Sequence, residues 1–243
     1  MKNSLKFLTA AGVLLVGSLT TYNAALRAEY QRGTYKDPLS NYNALPMRDF
    51  NTLNVPAAGA MRVRVESGPY AVYINKEATE YVHAKQQGGQ LTLTLNFPET
   101  EKYLGQGEAI IIRCPRLASL TTGTTYTRAG STQTTMRDKQ SNMMFLMVKG
   151  FTQDSLRVVQ NHTSRVILTG NHLGRLQAVV GNTPGSTAEL GLSADNQLGA
   201  TDVRVEERGK LVANDLALPG LRWQFSDSAQ VELSGAALRA LAE

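Results

Sequence analysis

Carboxylates, imidazoles and one thiol are the groups through which this chain could do chemistry, and their spacing assembles no catalytic set. Glycoside hydrolysis needs two carboxylates about 5–10 Å apart. Lyase chemistry needs clustered acids to hold Ca²⁺ beside a basic residue. Asp138, Asp154, Asp195, Asp202, Asp215 and Asp227 are instead scattered, with no Asp-Asp pair and no Asp-x-Asp. Asp195 and Asp215 recur at equivalent turns, where a hydrogen-bonded turn ladder is the better explanation than an acid pair. His83, His162 and His172 lack metal-ligand spacing: the last two are ten residues apart with no helical periodicity beneath them. No Gly-x-Ser-x-Gly, phosphate loop or dinucleotide fingerprint occurs. Asn161-His-Thr163 fits a glycosylation sequon and is read as an incidental match. Catalytic, cofactor-binding and metal residues are therefore all expected to be none, and the chain is read as not an enzyme.

The single cysteine, Cys114, sits in the apolar run Ala109-Ile-Ile-Ile-Arg-Cys-Pro115 and reads as a small buried hydrophobe. A lone cysteine makes no intrachain disulfide, so packing alone must hold the domain together. Met143-Met-Phe-Leu-Met-Val148 has no His or Cys beside its methionines, so they read as core filler.

Charge narrows the partner classes. The chain carries 25 Lys and Arg against 20 Asp and Glu, a formal +5. Residues 1–43 hold Lys2, Lys6, Arg27, Arg32 and Lys36 against Glu29 and Asp37, leaving only +2 for the remainder. The basicity flanks an apolar segment instead of forming a polyanion surface, so nucleic acid is not an expected partner.

That segment, residues 7–26, follows a short tail of residues 1–6. Its core from Leu8 to Leu19 has no charge, and it reaches the roughly 20 residues of a spanning helix only if Ser18, Thr20, Thr21, Tyr22 and Asn23 are tolerated. Tyr22 suits an interfacial aromatic. A cleaved signal peptide is the competing reading, although Asn23-Ala-Ala25 and Leu26-Arg-Ala28 are poor cleavage sites. The expected location is the cell envelope, with a single-pass anchor and the domain outside the cytoplasm, periplasmic or at the surface. Secretion after signal cleavage is the alternative. Residues 27–47 read as a polar tether.

From Phe50 the pattern is β. Leu53-Asn-Val55, Met61–Val65, Tyr70–Ile74, Tyr81–Ala84, Leu91–Leu95 and Ala109–Ile112 alternate or run apolar between turn residues such as Ser67-Gly-Pro69 and Gln86-Gln-Gly-Gly89. Six or seven strands in about sixty residues leave no room for crossover helices. Thr121–Asn142 is poor in apolar residues and is expected to loop out irregularly.

Between residues 155 and 240 the chain repeats itself. One apolar cluster centres on Val158, Ala178, Val203 and Trp223, a second on Val166, Ala188, Leu211 and Val231, and a third on Leu173, Leu198, Leu218 and Leu238. A period near twenty with short strands and polar turns is that of a β-solenoid, in which each coil buries its apolar face against the next. Gly170-Asn171, Asp195-Asn196, Asn214-Asp215 and Gly235 supply the turns. Burial of Trp223 and Phe225 is expected to contribute about 1.5–3 kcal/mol each. The tail from Ala236 to Glu243 is the best helix former after the anchor and a candidate cap.

Several of these segments resemble a known family. Phe50-Asn-Thr-Leu-Asn-Val55, Arg62-Val-Arg-Val-Glu-Ser-Gly68, Tyr70-Ala-Val-Tyr-Ile74, the Gly88–Leu95 hairpin, Ile110–Pro115 and Leu117–Leu120 together look like the "putative auto-transporter adhesin, head GIN domain" family of exported Bacteroidetes-type proteins. The likeness covers residues 48–240. It implies an all-β, right-handed parallel single-stranded β-helix, often in two lobes, with no established enzymatic activity and no catalytic residues to transfer. The expectation from sequence is a non-enzymatic, membrane-tethered domain that presents a binding or adhesion surface to a cell-surface glycan or protein. The alternatives are a polysaccharide-acting β-helix enzyme, or an envelope regulator acting through its membrane helix.

Overall fold

The computed structural model describes residues 2–33, 36–99, 104–105, 107–135 and 144–239. It divides into two units, residues 1–42 and 43–243. The first is dominated by α1, Lys2–Arg32. Leu5, Phe7, Val13, Leu14, Val16, Leu19 and Tyr22 are exposed around its circumference. A helix apolar on every side suits lipid or a large core, not a half-buried surface position. Four of its hydroxyls are satisfied within the helix: Thr9 donates to the Leu5 carbonyl at 2.9 Å, Ser18 to Leu15 at 2.9 Å, Thr20 to Val16 at 2.7 Å and Thr21 to Gly17 at 2.9 Å. Ser18, Thr20 and Thr21, three of the polar residues that had to be tolerated, therefore present no orphaned hydroxyl donor. Among the described residues α1 is the one helix long and apolar enough to cross a membrane. It continues beyond residue 26 into the segment read as tether. It ends at Gly33, whose φ of +70° lets its N–H reach back to the Glu29 carbonyl at 3.2 Å.

In the second unit the strands run β1 (Tyr42–Leu45), β2 (Thr52–Val55), β3 (Val63–Ser67), β4 (Ala71–Asn75), β5 (Val82–Gln87), β6 (Gln90–Phe97), β7 (Ile110–Cys114), β8 (Ser119–Thr122), β9 (Thr125–Arg128) and β10 (Ser131–Thr134). Then follow β11 (Leu146–Lys149), β12 (Thr152–Gln160), β13 (Arg165–Thr169), β14 (His172–Val180), β15 (Glu189–Leu192), β16 (Gln197–Val205), β17 (Lys210–Asn214), β18 (Leu221–Phe225), β19 (Gln230–Ser234) and the short helix α2 (Ala236–Arg239). Nine strands form one sheet in the order β1-β4-β7-β3-β11-β13-β15-β17-β19. Ten form another, β10-β9-β6-β2-β8-β12-β14-β16-β18, with β5 paired to β6 off that path.

This corrects the expected fold class. The structure is mixed α/β with two large open sheets of mixed sense, and it shows no right-handed parallel single-stranded β-helix in two lobes. β4 pairs antiparallel with β7, β5 with β6, and β9 with β10, alongside the parallel ladders. The physical reason lies in the turns. Gly88-Gly89 closes β5 onto β6 directly, the tight connection that antiparallel strands allow and parallel strands do not. Ala129-Gly130, both at positive φ, does the same for β9 and β10. The segment expected to be an irregular loop thus contains the end of β8 and this hairpin. Residues 136–142, Asp138 and Met143 lie outside the described residues.

The repeat appears as strand register. Val158 aligns with Ala178, Ala178 with Val203 and Val203 with Trp223. Val166 aligns with Leu190, Leu190 with Leu211 and Leu211 with Val231, so the second cluster runs through Leu190 and not Ala188. One core collects the inward residues of both sheets, from Phe50 and Leu53 to Leu216 and Ala237. Removing each large side chain from water stabilises the fold by about 1.5–3 kcal/mol. Trp223 departs from expectation: it aligns with the inward Val203 yet is 52% exposed, because among the described residues no strand covers the far side of β18. Leu238 is 55% exposed on α2. Residues 240–243 of the expected C-terminal helix lie outside the described residues.

Polar groups buried at the turns are tied into ladders. Asn171 accepts from the Phe151 N–H at 3.0 Å and donates through Nδ2 to the Val148 carbonyl at 3.0 Å and to Asn196 Oδ1 at 3.0 Å. Asn196 donates in turn to the Leu168 carbonyl at 2.8 Å and the Ser193 carbonyl at 2.7 Å. Both asparagines are buried, and Leu216, also buried, follows the next turn. Within β14 and β16, Gly174 and Gly199 let successive backbones approach closely. A Cβ on Gly174 would lie 2.8 Å from the Asp154 carbonyl oxygen, and one on Gly199 would run into the Gly174 carbonyl.

Candidate binding face

The residues singled out for chemistry do not converge. His83 is exposed on β5, His162 occupies the turn after β12, and His172 opens β14. His162, at a φ of +59°, accepts the Thr124 N–H on Nδ1 at 3.3 Å while its own N–H donates to the Thr183 hydroxyl at 2.9 Å. Its carbonyl accepts from Ser186. Burial lowers the pKa of this imidazole. Cys114 is fully buried, and burial pushes its thiol up to about 12.

The two turn aspartates face different neighbours. Asp195 accepts from the Thr169 hydroxyl at 2.8 Å, and Asp215 accepts from the Ala236 N–H at 3.2 Å. Partial burial works to raise the Asp195 pKa. Hydrogen bonds from Thr169, Gly170 and its own N–H, with the field of Lys149, outweigh it and hold the carboxyl below the usual value. Asp202 is engaged by Arg175 at 3.3 Å. No group of three or more His, Cys, Asp or Glu among the described residues is placed to hold a metal ion.

What the strands do assemble is a polar face. In β12, β14, β16 and β18 the buried Val158, Ala178 and Val203 fix the parity, so residues one position earlier point away from the core. Register then places Arg157, Gln177, Asp202 and Arg222 in one outward row. A second row runs Val159, Val179, Arg204 and Gln224. Three ladder spacings separate Arg157 from Arg222, about 14 Å. The rows line a shallow depression of about 540 Å³ that includes Arg157, Gln177, Asp202, Arg204, Arg222 and Gln224.

The electrostatics of the two sheets differ. On the nine-stranded sheet Arg113 meets Glu66 at 2.6 Å, Arg64 meets Glu108 at 3.1 Å, Arg165 meets Glu189 at 3.0 Å and Lys210 meets Glu232 at 2.7 Å. On the ten-stranded sheet Arg175 is taken by Asp202, and Arg204 by Glu206 at 3.0 Å. Arg157 and Arg222 are exposed and meet no carboxylate among the described residues, so the row ends in two guanidinium groups without an ion-pair partner there. A guanidinium offers a planar fork of donors that matches carboxylate or sulfate oxygens, and amides such as Gln177 and Gln224 both donate to and accept from hydroxyls. Binding is the chemistry this set can perform. The residues were not singled out from sequence, although their spacing follows that of the first apolar cluster.

No family model matches the chain, so the head GIN assignment expected from its strands and turns is not shown, and no curated protein matches it either. Solved structures do resemble it. One from Bacteroides fragilis named "putative adhesin" shares 10% identity over 80% of this chain and 92% of its own, with a TM-score of 0.42. A "putative adhesin" from Parabacteroides distasonis shares 11% over 79% of this chain and 95% of its own, at 0.37. A "putative lipid binding protein" from the same species shares 11% over 80% and 94%, at 0.30. At about one identical residue in ten and TM-scores below 0.5, these likenesses assign neither ligand nor activity to this chain.

Proposed function

We propose that this chain is a non-enzymatic, membrane-tethered protein of the cell envelope, whose domain outside the cytoplasm binds an anionic cell-surface glycan. The glycan lies on the outer face of the ten-stranded sheet between β12 and β18. The observation that carries this reading is the row Arg157–Gln177–Asp202–Arg222. It is extended, exposed except for the half-buried Asp202, and among the described residues it keeps two guanidinium groups without an ion-pair partner while four cations of the other sheet are matched by carboxylates. Tethering fits α1, whose length, all-round apolarity and internally satisfied hydroxyls suit a bilayer.

The test uses the full chain in detergent micelles against a uronate-rich polysaccharide and a neutral glucan. Binding is expected to the first only, to weaken with added salt, and to fall about tenfold in Arg157→Ala, the loss of about 1.4 kcal/mol. Equal binding to the neutral glucan would overturn the assigned face. Shortened polysaccharide after incubation would overturn the non-enzymatic reading. Intact mass of the protein isolated from membranes tests the tether: a chain beginning near residues 24–29 means that α1 is a removed signal.

A further inference from the structure

We propose that the binding face does not stop at β12 but continues across β8, β2 and β6 to β5, and that its ligand is an extended glycan whose acidic units are separated by neutral ones. The proposal rests on the reading of the outer face of the ten-stranded sheet as a glycan site. The row that holds Arg157 runs on through Ser119 of β8, Thr52 of β2 and Gln90 of β6, each aligned with the one before. The second row runs from Val159 through Thr121, Asn54 and Thr92 to Lys85 of β5. Leu120, Leu53 and Leu91 are buried between the two rows and fix the parity, so both rows point outward. Gln90 and Lys85 are exposed, and the other five are half-buried. Gln90 donates to the Thr92 hydroxyl at 3.2 Å, which ties one row to the other.

Hydroxyls and amides are not what an outward strand position carries by default. On the nine-stranded sheet the outward row through β11, β13, β15 and β17 reads Met147, Ile167, Gly191 and Val212, apolar throughout. Over β8, β2 and β6 the six side chains of the two rows are uncharged hydroxyls or amides, groups that both donate to and accept from sugar hydroxyls. A carboxylate laid there would lose water with no cation to meet it. Cations stand at three places along the face, Arg222, Arg157 and Lys85, none of them ion-paired among the described residues. Three ladder spacings, about 14 Å, separate the first two, and four, about 19 Å, separate Arg157 from Lys85. A sugar unit of an extended chain is close to one such spacing in length. The strands from β5 to β18 therefore span about eight units, with acidic groups about three to four units apart.

The test uses the full chain in detergent and linear glucan oligomers of four and eight units with one glucuronate in every four. The eight-unit oligomer is expected to bind about tenfold more tightly than the four-unit one, and Lys85→Ala is expected to lose that gain. An octamer that is glucuronate throughout is expected to bind no more tightly than the sparsely charged one. Equal affinity for the two lengths, or a gain unchanged in Lys85→Ala, would overturn the extension, while binding of the four-unit oligomer that still depends on Arg157 would leave the assigned face standing. Tighter binding of the fully charged octamer would overturn the spacing of the acidic units. Binding indifferent to Arg157→Ala would overturn the face itself and the extension with it.

Discussion

Asn171→Ala is expected to be among the most damaging substitutions available at a turn, and the structure sets its size. The Asn171 side chain makes three hydrogen bonds in a fully buried position, to Phe151 N–H, to the Val148 carbonyl and to Asn196 Oδ1. Truncation leaves the Phe151 N–H without its partner, at about 1–3 kcal/mol for a buried orphan, and forfeits two further bonds at about 0.5–1.5 kcal/mol each. The expected loss is about 2–6 kcal/mol, a large part of the roughly 5–15 kcal/mol that holds a typical domain together. Asn171→Asp separates hydrogen bonding from volume: it keeps the shape but replaces two donated bonds with a carboxylate facing the Val148 carbonyl and Asn196 Oδ1, so it should cost at least as much. Urea unfolding of the full chain in detergent, followed by far-UV circular dichroism, gives the difference from the midpoint shift at constant slope. Asn196→Ala closes a double-mutant cycle, with an expected coupling of about 0.5–3 kcal/mol. A loss below about 1 kcal/mol for Asn171→Ala, or additivity of the two alanine substitutions, would refute the ladder as a stabilising element.

Gly199→Ala should lower the thermal midpoint by several degrees, since its Cβ runs into the Gly174 carbonyl and the strain is borne by backbone, at about 1–3 kcal/mol. Gly17→Ala in α1, where nothing lies within 4 Å of the added methyl, is the matched control and should leave the midpoint unchanged or raised. His162 predicts the sign of a pH dependence. Its folded pKa is lowered by burial, so the unfolded chain binds the proton more readily below the ordinary value of 6.5. Stability is complete above that value and falls as pH drops from it toward the folded pKa. His162→Asn, which tolerates the positive φ and retains an acceptor for the Thr124 N–H, should flatten the urea midpoint between pH 7 and pH 5. A slope unchanged by the substitution would assign that dependence to other groups.

The strands were legible because they are local. Leu91–Leu95 alternates strictly, and β6 covers it; the Val158, Ala178, Val203 and Trp223 spacing became an unbroken register of parallel neighbours. The sheet order was not legible, because it rests on pairs without a local mark. β7 sits between β3 in parallel and β4 antiparallel, and no residue in Ile110–Cys114 signals which neighbour lies on which side. The misplacement of Ala188 has a similar cause. Both Ala188 and Leu190 are buried, and only the length of the turn after β14 decides which of them aligns with Val166. Trp223 shows the remaining gap between register and burial: it aligns with the inward Val203, but it is exposed, because burial depends on whether another strand follows β18.

The binding face lay one residue away from what the sequence displayed. Arg157, Gln177, Asp202 and Arg222 stand one position before Val158, Ala178, Val203 and Trp223, so the inward register specifies the outward row. What spacing alone withholds is which cations are already spoken for. Arg175 reaches diagonally to Asp202, and Arg204 bonds Glu206, two residues on and just past the end of β16. Side-chain reach decides those pairs, not sequence distance. Exposed ion pairs of this kind contribute only about 0–1 kcal/mol to stability, so such a weak pair has its larger consequence in which charges it leaves unmatched. Here the remainder is Arg157 and Arg222, about 14 Å apart at the ends of one row. A ligand that spans them must carry its negative charge at separated points along an extended body.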